Sequence, residues 1–280
     1  MTELQKAIQK KDRVDQSSYL TRLGNLYKDL GRYDTAIHYH LQDVDISSKA
    51  PPRRQSVAVS YSNIGACYTA KKDYVEALKW YVKMITVIKN STDAEFPNKS
   101  FEYYRAYSSI EKVLTDWADL QKTAIDNELQ NFEDNPDLSK EEVDTKKEWL
   151  NSLSKQLKQT VEYGILFSKK ALQLLRRDIH NSRKVLRTRG RQGKRKHQKH
   201  RSDSSPDINS DPDEFEVRYN FSPVLNLALL YEMLDDVPRA VTTFKEAVTY
   251  AVKPVSLHSH SFIFLFVFFS FSSLLYYPAW

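Results

Sequence analysis

Two stretches of the chain can be laid over each other at a constant offset of 41 residues. They are "LGNLYKDLGRYDTAIHYHLQDVDI", Leu23 to Ile46, and "YSNIGACYTAKKDYVEALKWYVKMITVIK", Tyr61 to Lys89. Leu23 and Gly24 fall on Ile64 and Gly65, Tyr27 on Tyr68, Tyr33 on Tyr74, and Ala36 on Ala77. A third copy lies downstream in "VLNLALLYEMLDDVPRAVTTFKEAVTYA", with Leu227, Ala228, Tyr231, Ala240, Phe244 and Ala247. In all three a small residue (Gly24, Gly65 or Ala228) precedes an alanine by 12 positions. Apolar residues at 20, 23, 26, 27 and 30 have helical spacing on one face, and a second helical run follows a break at Gly31-Arg32. Glycine inside a helix costs about 1 kcal/mol against alanine, so Gly24 needs a reason. Close approach of the second helix supplies one. A chain built this way is restricted to stacked antiparallel helical hairpins, an all-α architecture.

The set of Leu-Gly, Tyr, Ala, aromatic and Ala positions resembles the tetratricopeptide pattern, whose unit is about 34 residues. The longer offset here implies helices about one turn longer. Such units stack into a solenoid held by contacts between neighbours. In this reading Leu23, Gly24, Tyr27, Ala36, Ile64, Gly65, Tyr68, Ala77, Tyr81, Leu227, Ala228, Tyr231, Ala240, Phe244 and Ala247 are packing positions. First-helix residues pointing away from the partner helix line a groove: Thr21, Asn25, Lys28 and Asp29, then Ser62, Ala66 and Thr69. A peptide partner is expected there, held by Asn25 and Lys28.

Residues 1–90 thus hold two long repeats, and 91–180 a degenerate one followed by long helices. Aligning Ile110 with Ile64 puts Thr123 where the alanine belongs, which marks the repeat as interrupted. Ser139 with Glu142 three residues on is a capping box, opening a helix from Lys140 to about Ile179. Residues 181–215 read as a disordered linker, basic and then acidic. Ten of the 19 residues from Arg183 to Arg201 are Lys or Arg. The run reads as a nuclear-localisation signal centred on Arg183, Lys184, Lys194, Arg195 and Lys196, as a nucleic-acid arm, or as a plain linker. His197 and His200 have no acidic or cysteine partner at ligand spacing. A further repeat occupies 216–254.

From Pro254 to Trp280 there is no Lys, Arg, Asp or Glu. Phe262 to Tyr277 is an apolar run of 16 residues, short of the ~20 that a membrane span needs. Residues 255–280 therefore read as an aberrant end unrelated to the solenoid, with a membrane tether as the alternative. The one cysteine, Cys67, excludes an intramolecular disulfide and a multi-cysteine zinc site. No phosphate-binding glycine loop, nucleophile elbow or His-Glu-x-x-His is present, so no catalytic residue, metal or cofactor is expected.

The order of pieces gives a closer resemblance. "GRYDTAIHYHLQDVDI", "YSNIGACYTAKKDYVEALKWYVKMITV", "RAYSSIEKVLTD" and "VRYNFSPVLNLALLYEMLDDVPRAVTTFKEAV" are similar, in that order, to the N-terminal repeats of the Tonsoku-like proteins. The chain resembles a truncated form of that part, from Ser17 to about Val252, with the basic insertion as a departure. The resemblance implies a nuclear scaffold for repair by homologous recombination, with repair factors or histones as partners. That family reads histone tails through ankyrin repeats, absent from these 280 residues, so histone reading carries to no residue here. The LGN/Pins polarity adaptors are the other resemblance, and would place the chain in the cytoplasm. Only Leu23-Gly24-Asn25 carries their tripeptide.

Overall fold

The computed structural model of the chain describes residues 12–49, 51–135, 138–197 and 222–252. Among the described residues there are eight helices and no strand. They are α1 (Arg13–Asp29), α2 (Tyr33–Ser48), α3 (Arg54–Ala70), α4 (Tyr74–Lys89), α5 (Lys99–Asp134), α6 (Lys140–His197), α7 (Ser222–Glu232) and α8 (Val237–Val252). The chain is all-α, with the hairpins of a helical solenoid. It divides into two units, Met1–His180 and Asn181–Trp280.

The hairpins α1/α2, α3/α4 and α7/α8 turn in the same way. Gly31, Lys72 and Asp235 stand at matching positions with φ of 73°, 61° and 56°. The next residue donates its N–H back to the tyrosine of the first helix: Arg32 to Tyr27 at 2.8 Å, Asp73 to Tyr68 at 3.0 Å, Asp236 to Tyr231 at 2.9 Å. The left-handed residues donate three positions back, to Lys28, Thr69 and Glu232, each at 2.9 Å. These paired bonds form a Schellman motif, which satisfies carbonyls that a helix end leaves open. Asp12 caps α1 by accepting from the N–H groups of Val14 and Asp15. At α6 Ser139 and Glu142 form the reciprocal capping box, with the Ser139 hydroxyl 2.7 Å from the Glu142 carboxylate.

Close packing follows from the small residues. A Cβ placed on Gly24 would collide with the His40 ring, and one on Gly65 would lie 2.9 Å from Tyr81 Cζ. Sixteen positions separate each pair, and Ala228 and Phe244, both buried, stand at the same spacing. Ala36, Ala77 and Ala240 have no exposed surface. Ile64 is also sealed, and Leu227, Tyr231 and Ala247 are buried, while Leu23, Tyr27 and Tyr68 are half-buried. Tyr27 stacks on Tyr39 with ring centroids 5.4 Å apart. Burial raises the pKa of Tyr81, whose hydroxyl is bonded with Thr69 and Ser109.

The segment expected to hold an interrupted repeat is one uninterrupted helix of 36 residues, α5. Counting 41 on from Gly65 and Ala77 reaches Ala106 and Ala118, both with no exposed surface. This register, rather than the one that matched Ile110 to Ile64, places small residues in the core. The position that would turn is Val113, which is buried. A β-branched side chain is a poor occupant of the left-handed region, so the helix runs on. It pairs with α6, antiparallel: Ser100 donates to Asp178 at 2.8 Å, Tyr107 meets Phe167, and Lys146 pairs with Glu128 at 2.9 Å.

The basic run differs from expectation. The helix from Lys140 does not end near Ile179 but continues to His197, so the run from Arg183 to Lys196 has helical backbone instead of disorder. Lys, Arg and Gln are good helix formers and no proline interrupts them, although Gly190 and Gly193 each cost about 1 kcal/mol against alanine. The acidic stretch and the Phe-rich tail lie outside the described residues. Among the described residues no helix is long and apolar enough to cross a membrane.

Lys72 holds the left-handed position that Gly31 holds in the first hairpin. A non-glycine residue there is strained, by about 1 kcal/mol. Lys72→Gly should therefore raise the urea midpoint, corresponding to about 1 kcal/mol. An unchanged or lower midpoint would contradict the turn geometry.

Candidate protein-binding face

Because the hairpins share one geometry, the first helices α1 and α3 lie against each other. The shared offset makes Thr21 equivalent to Ser62, Asn25 to Ala66, and Lys28 to Thr69. Not all of these side chains are available to a partner. Thr21 donates its hydroxyl to the Asp43 carboxylate at 2.7 Å. Thr69 donates to the Gly65 carbonyl at 2.9 Å and also bonds with Tyr81. Lys28 lies 3.9 Å from exposed Asp29 and keeps a third of its side chain in solvent. Ser62 is half-buried, and the Asn25 Oδ1 is sealed from solvent without a hydrogen-bond partner. The face therefore offers Lys28, Asp29, Ser62 and, apart from its buried Oδ1, Asn25, while the two threonines hold the fold.

Beneath this face is a polar cluster that the repeat pattern did not predict. Asp43 is buried and accepts from three hydroxyls: Thr21 of α1 at 2.7 Å, Ser47 of α2 at 3.1 Å and Ser60 of α3 at 2.5 Å. Ser47 and Ser17 are 3.2 Å apart. Three helices are thus tied to one carboxylate, a group that would be costly to bury without such donors. The equivalent positions hold Met84 and Ala247, so the 41-residue alignment marks Asp43 as out of pattern.

His40 sits one turn earlier on α2, under Gly24, with no exposed surface. Neither ring nitrogen has a hydrogen-bond partner. Burial pushes its pKa down to about 4; Asp43 opposes that shift and Lys28 adds to it. Cys67 is sealed, and burial raises its thiol to about 11, so it stays a packed, protonated group. Among the described residues no group of His, Cys, Asp and Glu could hold a metal ion. A separate apolar cleft of about 460 Å³ lies between α4, α5 and α6, lined by residues including Leu78, Val82, Leu114, Trp117, Tyr163 and Phe167. It arises from the long α5/α6 pair, which the repeat pattern did not describe.

Residues 15–89, the span of the first two hairpins, match the tetratricopeptide repeat family. No curated protein matches the chain. Among solved structures the chain is similar to that titled crystal structure of BtubC (BKLC) from P. vanneervenii, at 13% identity and a TM-score of 0.44. The likeness covers 86% of this chain and 65% of that one, so the chain spans less than two thirds of its length.

The buried histidine gives a pH dependence of known sign. Its folded pKa near 4 lies below the ordinary histidine value of 6.5, so the folded state binds fewer protons than the unfolded state in between. The stability of neutral His40 is fully present above pH 6.5 and is lost as pH falls toward and through 4. About 2 kcal/mol should disappear between pH 7 and pH 5. His40→Phe, which copies Phe244, should lose less over that range in urea titrations. Equal losses in both proteins would show that His40 does not carry the dependence.

Proposed function

We propose that the chain is a protein-binding scaffold acting in the nucleus, in DNA-damage repair by homologous recombination. The carrying observation is the contact of α1 with α3, which brings equivalent first-helix positions of the two hairpins onto one side. Tetratricopeptide repeats, matched over residues 15–89, are protein-binding platforms, and that supports the scaffold. The nuclear and repair part rests on the resemblance of the repeat order to the Tonsoku-like proteins and on the basic run from Arg183 to Arg201. Asn25 and Lys28 are the side chains on this face suited to bind a peptide: the amide N–H groups of Asn25 for its backbone carbonyls and an ammonium for its acidic groups.

The test expresses the tagged full chain in cells, records its location, and identifies captured proteins in parallel with Asn25→Ala/Lys28→Ala. Nuclear signal with recombination factors, captured at least several-fold less by the double variant, is the expected result. Capture that the variant leaves unchanged would move the binding face elsewhere. A cytoplasmic chain carrying polarity adaptors would overturn the nuclear reading and favour the LGN/Pins-like one.

A further inference from the structure

The continuation of α6 through the basic run arranges its charges. At about 100° per residue, Arg183, Lys184, Arg187, Arg191, Lys194 and Arg195 fall within roughly 120° of the helix circumference. Arg189 and Lys196 are placed on the opposite side. Along the axis the six span roughly 18 Å, at 1.5 Å per residue. From Ile179 to Ser202 the sequence contains no Asp or Glu. Beyond Leu186 this stretch also contains no apolar residue, so it lacks the apolar face with which a helix enters a lipid surface.

We propose that this arc binds the phosphate backbone of duplex DNA, with α6 lying in the major groove. B-form DNA carries about one negative charge per 1.7 Å of axis, so phosphates flank the groove along the whole length of the arc. The major groove is about 12 Å wide and admits an α-helix, whereas the A-form RNA groove is too narrow and deep. Six cations neutralising six phosphates give recognition that depends on charge and groove shape and not on sequence. This site is independent of the α1/α3 face, and either can be wrong without the other.

Fluorescence anisotropy of the full chain with a labelled DNA duplex of about 20 base pairs tests it. With six phosphates neutralised, affinity should fall about a thousandfold between 50 and 200 mM salt. Arg187→Gln/Arg191→Gln should flatten that loss to about a hundredfold and weaken binding. Arg189→Gln/Lys196→Gln, with the same change in charge, should do so much less. Thr188→Pro keeps every charge but breaks the helix, and should weaken binding as well. Equal effects of the two charge pairs, or full affinity in Thr188→Pro, would overturn the arc. Equal affinity for an RNA duplex of the same length, for anionic vesicles or for polyglutamate would overturn duplex DNA as the ligand.

Discussion

A small residue beneath a large ring is the contact on which the hairpins depend. Gly24 faces His40, and Gly65 faces Tyr81, each with no room for a methyl group. That contact fixes how near the second helix of a unit comes to the first. The buried alanines at 36 and 77 sit one turn before each ring and keep the crossing close. With the crossing set, α2 meets α3 and the first helices come side by side. The surface available to a partner is therefore a consequence of the packing directly beneath it.

Much of this was legible because the constraint is steric and local. A glycine in a helix interior has few explanations, and a repeat at one offset with one spacing leaves little freedom. The turns were less legible. Gly31 announces a left-handed residue, and Asp235 is of a type that tolerates one, whereas Lys72 adopts the same conformation with nothing in its chemistry to advertise it. Val113 shows the converse: one β-branched residue at the turning position lets α5 run through. For the basic run, low apolar content argues against independent folding. It does not argue against extension of a helix already nucleated upstream, where each added residue costs little.

The candidate face was legible by position but not by availability. Thr21 and Thr69 carry hydroxyls suited to a peptide, yet both are engaged within the fold. Asp43 explains the first: a buried carboxylate gathers hydroxyls from α1, α2 and α3 and leaves Thr21 bound inward. The aligned Met84 and Ala247 show that the repeat does not require this cluster. The first hairpin thus departs from the other two in having a charged group and a histidine at its centre.

The contact between Gly24 and His40 can be tested directly by a double-mutant cycle. Gly24→Ala adds a methyl group against a ring that has no exposed surface and cannot move away without repacking. In the unaltered chain this exchange should cost about 1–3 kcal/mol of unfolding free energy, as overpacking does. In a His40→Ala background the same exchange should be neutral or stabilise by up to about 1 kcal/mol, because alanine is the better helix former. An equal cost in both backgrounds would contradict the packing of Gly24 beneath the His40 ring.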